Sequence, residues 1–139
     1  MNRIRRIVKS ETGQAMVEFA LVAPLLLMMV IGVFEFGRAW NVYQVITEAA
    51  RAGARAAVVA NAGVTQDSVR ATIQHELGRA GLDTSRADIS LTGWRAGTGT
   101  PASVTIQYVY RFVFLRPFMG WTSDDAAITL STAFTMRNE

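Results

Sequence analysis

The chain reads as an α+β protein: a long N-terminal helix, able to cross a membrane, continuing into a small domain with a second helix and a three-stranded antiparallel sheet. Three observations carry this. Residues 19–34 contain no charged side chain, a three-to-four-residue apolar period runs on beyond them, and after Gly81 the period changes to two. The 139 residues amount to about one domain. Because part of that length is the apolar segment, the remaining core is small.

The apolar segment comes first. Between residues 15 and 36 only Glu18 and Glu35 are charged. As a helix those residues cover ~33 Å, close to the thickness of a bilayer's hydrocarbon layer. Leu25-Leu26-Leu27-Met28-Met29-Val30-Ile31 has no polar side, so a soluble fold of this size has too little interior to cover it. Pro24 is tolerated in lipid, often with a kink, where neighbouring helices satisfy the freed carbonyl. Arg3, Arg5, Arg6 and Lys9 precede the segment and only Arg38 closely follows it. This bias predicts a cytoplasmic N-terminus and an exported C-terminal part. A cleaved secretory signal fits poorly, because Gly32-Val33-Phe34-Glu35-Phe36-Gly37-Arg38 is bulky and charged where small residues are needed. Glu35, with Arg38 three residues on, is expected at the outer membrane edge as a helix-surface pair.

Past Gly37, Val42, Ile46, Ala49, Gly53 and Ala56/Ala57 extend the helix to about residue 60 as a stripe of small apolar residues. Two uses of the stripe stand open: packing on the protein's own sheet, or against other helical subunits. Glu48, Arg51 and Arg55 line another side, and Asn61-Ala62-Gly63 ends the helix. The second helix has Thr65 or Asp67 as its N-cap, Val69, Ile73 and Leu77 as its apolar face, and Gly81 as its stop. Three alternating runs follow. Ile89 and Leu91 form the first; Val104, Ile106, Tyr108, Tyr110, Phe112 and Phe114 the second; Ile128, Leu130, Phe134 and Met136 the third. One face of the sheet is then covered by the helices.

Composition removes several classes of function. The net charge of +3 resides in the leader before Gln14, and the rest of the chain balances to zero. Nucleic-acid binding needs a basic face in the folded part, so no nucleic acid is expected as a partner. With no cysteine and the single histidine His75, neither a zinc site nor a nucleophile–base pair assembles. Gly97-Thr98-Gly99 lacks the lysine and helix of a phosphate loop. Asp124-Asp125 lacks the ligand spacing of a calcium loop and suits a turn. The expectation is a protein that is not an enzyme and carries no metal or cofactor.

The informative junction precedes the apolar run. Lys9-Ser10-Glu11-Thr12-Gly13-Gln14-Ala15-Met16-Val17-Glu18-Phe19 places a glycine at the end of a basic leader and a glutamate five residues later. A glutamate in an apolar helix is costly and usually functional. Were the chain cut after Gly13, the new amine on Gln14 would lie one turn from Glu18, on the same helix face. The other reading of Glu18 is a charge that marks the membrane interface.

This junction resembles the prepilin processing site. With residues 19–27, Phe36-Gly37-Arg38-Ala39 and Thr47-Glu48-Ala49-Ala50-Arg51-Ala52-Gly53-Ala54-Arg55, it is similar to the TadE-like family of the tight-adherence (Flp) pilus system. Residues 13–57 carry the specific resemblance. It implies a pilin-like organisation: a basic leader over 1–13, a transmembrane helix over 14–37, a periplasmic continuation over 38–62 and an exported α+β domain over 63–139. It implies a minor pilin or pseudopilin, since the major subunits of such pili are little more than the helix. Cleavage would fall between Gly13 and Gln14, with Glu18 and Phe19 serving assembly. A prepilin peptidase, other pilin-like subunits and inner-membrane lipid would be the partners. The alternative is an uncleaved, signal-anchored exported binding or adhesin protein. Finally, Leu115-Arg116-Pro117-Phe118-Met119-Gly120-Trp121 places Phe118, Met119 and Trp121 in a loop. The loop serves either as a partner contact or as a cap folded back on the core.

Overall fold

The structure, a computed structural model, describes residues 11–59, 63–115 and 127–138. Helix α1 spans Glu11–Val58 and α2 spans Gln66–Arg79. A short 3-10 turn, Thr84–Arg86, leads into strands β1 (Ala87–Thr92), β2 (Pro101–Arg111) and β3 (Ala127–Arg137). The sheet is an antiparallel meander with β2 in the centre. This is the α+β arrangement expected from the sequence.

At 48 residues, α1 is about 70 Å long. Pro24 lies within it and the helix continues on both sides. Its two halves have different surroundings. The lower half is bare: Met16, Leu21, Leu25 and Met29 are each at least two-thirds exposed. From Glu35 upward, one face is buried, through Ala39, Val42, Ile46, Ala49, Ala50, Ala54 and Ala57. That face contacts α2, β2 and β3. The stripe of small residues therefore packs on the protein's own sheet and second helix. The alanines and Gly53 keep the helix thin enough for Ile73 of α2 to approach. A Cβ built on Gly53 meets Ile73 Cγ1 and Cδ1 at 2.5 Å, and Val104 lies just beyond.

Local signals account for the boundaries of α2. Thr65 is the N-cap, and its side chain accepts from the Ser68 N–H while Ser68 Oγ accepts from the Thr65 N–H. At the other end, Gly81 takes φ +74°, with Leu82 N–H bonded to the Leu77 carbonyl and Gly81 N–H to that of Gly78. This is a left-handed termination that glycine adopts without steric penalty. Asp83 caps the 3-10 turn that follows, accepting from the Ser85 hydroxyl and N–H.

The sheet register puts one apolar set on one face. Ile89 lies opposite Ile106, and Leu91 opposite Val104. Val104, Ile106 and Tyr108 stand opposite Phe134, Thr132 and Leu130 respectively. With Val69, Ile73, Leu77 and the α1 stripe they form the core. The outer face is polar, and Ser103 and Thr135 are bonded across the strands at 3.0 Å.

Two details depart from the expected alternation. The second strand ends at Arg111, so Phe112 and Phe114 lie beyond it; Phe112 is partly buried and Phe114 is half exposed. The physical reason is that the N–H groups of Val113 and Phe114 turn to the Glu35 carboxylate and no longer follow a strand ladder. Ile128, expected inside, is 40% exposed at the end of β3 nearest this turn. Of the anticipated helix end Asn61-Ala62-Gly63, only Gly63 is among the described residues, and α1 closes at Val58.

Candidate functional site

The junction residues lie on the bare half of α1. Gly13, Gln14, Glu18 and Phe19 are all helical, and Gln14, Glu18 and Phe19 are exposed. Gln14 and Glu18, four apart, share a helix face. Among the described residues no hydrogen bond or ion pair reaches the Glu18 carboxylate. Its surroundings are Ala15, Val22 and other apolar side chains of one helix. The geometry is that of an anion on a hydrophobic rod, about two turns in from Glu11, where the helix begins. The leader arginines and Lys9 lie outside the described residues, as do Phe118, Met119, Trp121, Asp124 and Asp125.

The structure assembles a second carboxylate site that sequence reasoning placed differently. Glu35, expected as an interfacial surface pair with Arg38, is fully buried. Its Oε1 accepts from the Tyr110 hydroxyl at 2.6 Å and from the Val113 N–H at 3.2 Å. Its Oε2 accepts from the Phe114 N–H at 2.8 Å. Arg38 does approach as expected, at 3.6 Å, but it covers the carboxylate from the half-exposed side. The Arg38 guanidinium also stands 5.6 Å from the centre of the Phe114 ring. Tyr110 is pushed up to about 12, by burial first and then by donating to the negatively charged Glu35. A buried carboxylate with three donors and a guanidinium is fully satisfied. It fastens the end of β2 to the helix at the level where the bare half begins.

A signal for this was present. Glu35, Ala39, Val42 and Ile46 follow at steps of four, three and four, so the buried stripe extended back by one turn lands on Glu35. What the local sequence lacked was the partner, since Tyr110 and Phe114 lie 75 and 79 residues away.

Among the described residues, no three His, Asp or Glu side chains come together. His75 is exposed beside Glu76. At the far end of the domain, Asn138 is buried and joins the β1–β2 connection to the chain end. Its Nδ2 donates to the Gly93 carbonyl and Thr100 Oγ1, and its backbone pairs with Gly99 and Thr100. It thereby ties the β1–β2 connection to the end of β3.

Fold and site together define a class: proteins in which one helix, bare and apolar over its first half, is built by its second half into a small α+β head. The helix is long and apolar enough to cross a membrane. Residues 13–55 match the TadE-like protein family, so this part of the chain is TadE-like, as the junction and the helix motif implied. The match associates the chain with the tight-adherence (Flp) pilus system. No curated protein and no solved structure matches the chain.

Proposed function

We propose that the chain is a minor pilin or pseudopilin of the tight-adherence pilus, cut after Gly13 by a prepilin peptidase and then joined to other pilin-like subunits through its bare helix. The observation that carries this reading is the lower half of α1. Its large apolar side chains are exposed, and one carboxylate sits among them, five residues after a glycine that ends a basic leader. Lipid covers such a surface before assembly and other apolar helices cover it afterwards. Once Gln14 carries a free amine, largely charged at neutral pH, Glu18 has a cationic partner on its own helix or on a neighbouring subunit. The head stands on the outer side of the inner membrane, in keeping with the charge bias across the span. Surface attachment is the purpose of the assembly.

Mass spectrometry of the chain purified from membranes tests the reading. A mature N-terminus at Gln14 is expected, and Gly13→Leu blocks it. Glu18→Gln leaves cleavage intact and lowers piliation and attachment at least tenfold. An N-terminus at Met1 or Asn2 in piliated cells would instead support the uncleaved, signal-anchored binding protein. Normal pili with Glu18→Gln would remove the assembly role.

A further inference from the structure

The end of the head nearest the bare helix carries groups suited to a lipid–water boundary. On α1, Phe36, Trp40 and Tyr43 follow at steps of four and three, with ring centroids 6.4 and 5.9 Å apart. All three are exposed, and the ladder is continuous with the apolar helix below. Val113 and Phe114, held in place by Glu35, are half exposed at the same level. Beside them a cleft of about 510 Å³ is lined by Arg38, Arg86, Arg111 and the single carboxylate Asp83, with Tyr108 and Phe112 as walls. Arg38 is paired with Glu35 and Arg86 with Asp83, while Arg111 has no ion pair among the described residues.

The register of the helix sets the depth of these groups. A hydrocarbon layer takes about 20 helical residues. Counted from Phe19, the first residue after Glu18, that length ends near Arg38, which puts Glu35 about one turn inside the boundary. A carboxylate at that depth is costly unless protein groups satisfy it. Tyr110, Val113 and Phe114 do so, and they reach it only if the base of the head comes down to the same depth.

Resting on the membrane reading above, we propose that the base of the head is seated in the outer lipid interface. Phe36, Trp40, Val113 and Phe114 occupy the headgroup–acyl boundary, and the Arg38–Arg86–Arg111 cleft receives the phosphate of an anionic phospholipid headgroup. Tryptophan and tyrosine favour that boundary because one part of each ring is apolar and another can hydrogen-bond; Trp40 and Tyr43 supply that character beside the apolar Phe36, Val113 and Phe114. Arginine is suited to phosphate because its planar fork donates two parallel bonds.

The chain has three tryptophans, at 40, 94 and 121, so the full-length protein can be reduced to one. Trp94→Phe/Trp121→Phe leaves Trp40, and Trp40→Phe/Trp121→Phe leaves Trp94, which stands in the β1–β2 connection at the far end of the head. Each is reconstituted into phosphatidylcholine vesicles brominated either high or low on the acyl chain. Trp40 emission is expected to fall at least twofold with the shallow bromines and less with the deep ones, while Trp94 is unaffected. A tryptophan-free chain carrying Leu26→Trp reports the span itself through the deep bromines. Quenching at 26 with none at 40 overturns the proposal and keeps the membrane reading; no quenching at either position overturns both. Trp40 shielded from both bromines and from aqueous iodide marks a protein contact, which also overturns it.

The charged part is read from thermal unfolding of the head. Replacing one third of the lipid with phosphatidylglycerol is expected to raise the midpoint by roughly 4 °C, a rise that Arg86→Gln/Arg111→Gln abolishes. Free inorganic phosphate added to phosphatidylcholine vesicles gives no comparable rise. No lipid-dependent rise, or one that persists in the double variant, overturns the headgroup assignment.

Discussion

Replacing Glu35 by alanine removes one acceptor group and strands three donors. Tyr110 loses a 2.6 Å bond, Phe114 a 2.8 Å bond and Val113 a 3.2 Å bond, while Arg38 loses its counter-charge at 3.6 Å. Each hydrogen bond to a charged group contributes ~1.5–3 kcal/mol, so a simple sum reaches ~4.5–9 kcal/mol. That sum is too large, because bonds that share one acceptor group do not add. Tyr110, 4% exposed, is left without a partner. Losing one partner of a buried charged network costs about 3–5 kcal/mol; the lower end, about 3 kcal/mol, fits a network whose Arg38 is half exposed. Glu35→Gln keeps one carbonyl acceptor for Tyr110 and should lose about half as much. The assay is urea unfolding in micelles of the full chain carrying Trp40→Phe/Trp121→Phe, followed by Trp94 emission, with Tyr110→Phe and the double variant completing a cycle. A coupling of about 1–2 kcal/mol between positions 35 and 110 is expected. A Glu35→Ala chain within about 0.5 kcal/mol of the parent, or a coupling near zero, would refute the account of Glu35 as the fastening point.

Four further outcomes follow from the head. Tyr110 holds its proton more tightly folded than unfolded, so its contribution is complete below pH ~10 and disappears as pH rises toward ~12; base titration of stability should show a loss of up to about 3 kcal/mol in that window, absent in Tyr110→Phe. Gly53→Ala drives a methyl into the fully buried Ile73; overpacking of about 1–3 kcal/mol outweighs a helix gain of about 1 kcal/mol. By contrast, Gly78→Ala, with open space around it, should be neutral or slightly stabilising by chemical denaturation. Gly93→Ala places a Cβ 2.1 Å from the Pro101 carbonyl oxygen at a residue with φ +69°. A loss of about 2 kcal/mol or more is expected, with faster amide exchange in β1.

Much of this architecture is written locally. The three-to-four period of α1, the Thr65 cap, the Gly81 stop and the alternation in β2 each depend on neighbours within a few residues. Nearest-neighbour chemistry is enough to read them. The tie between Glu35 and Tyr110 depends on the head folding back over 75 residues, and no local pattern encodes the depth at which it meets the helix. A glutamate followed by an arginine three residues on looks the same whether it faces water or a tyrosine. The end of β2 was misread for the same reason. The alternation of Phe112 and Phe114 continues in sequence, but a distant carboxylate draws the backbone N–H groups away from the ladder. At Gly13 and Glu18 the spacing was legible and its chemistry was not, because among the described residues no hydrogen bond or ion pair reaches the Glu18 carboxylate.

The upper part of α1 belongs to the interior of the head as much as any strand does. It lays Ile46, Ala50 and Ala54, each with no exposed surface, against β2, β3 and α2. A fragment designed for study in water must therefore start no later than Glu35. Dividing the chain where the second helix begins would leave a sheet with its greasy face open and nothing to close it. The same shared interior leaves the head no swivel: a twist or pull applied to the bare end of the rod is delivered to the sheet without slack.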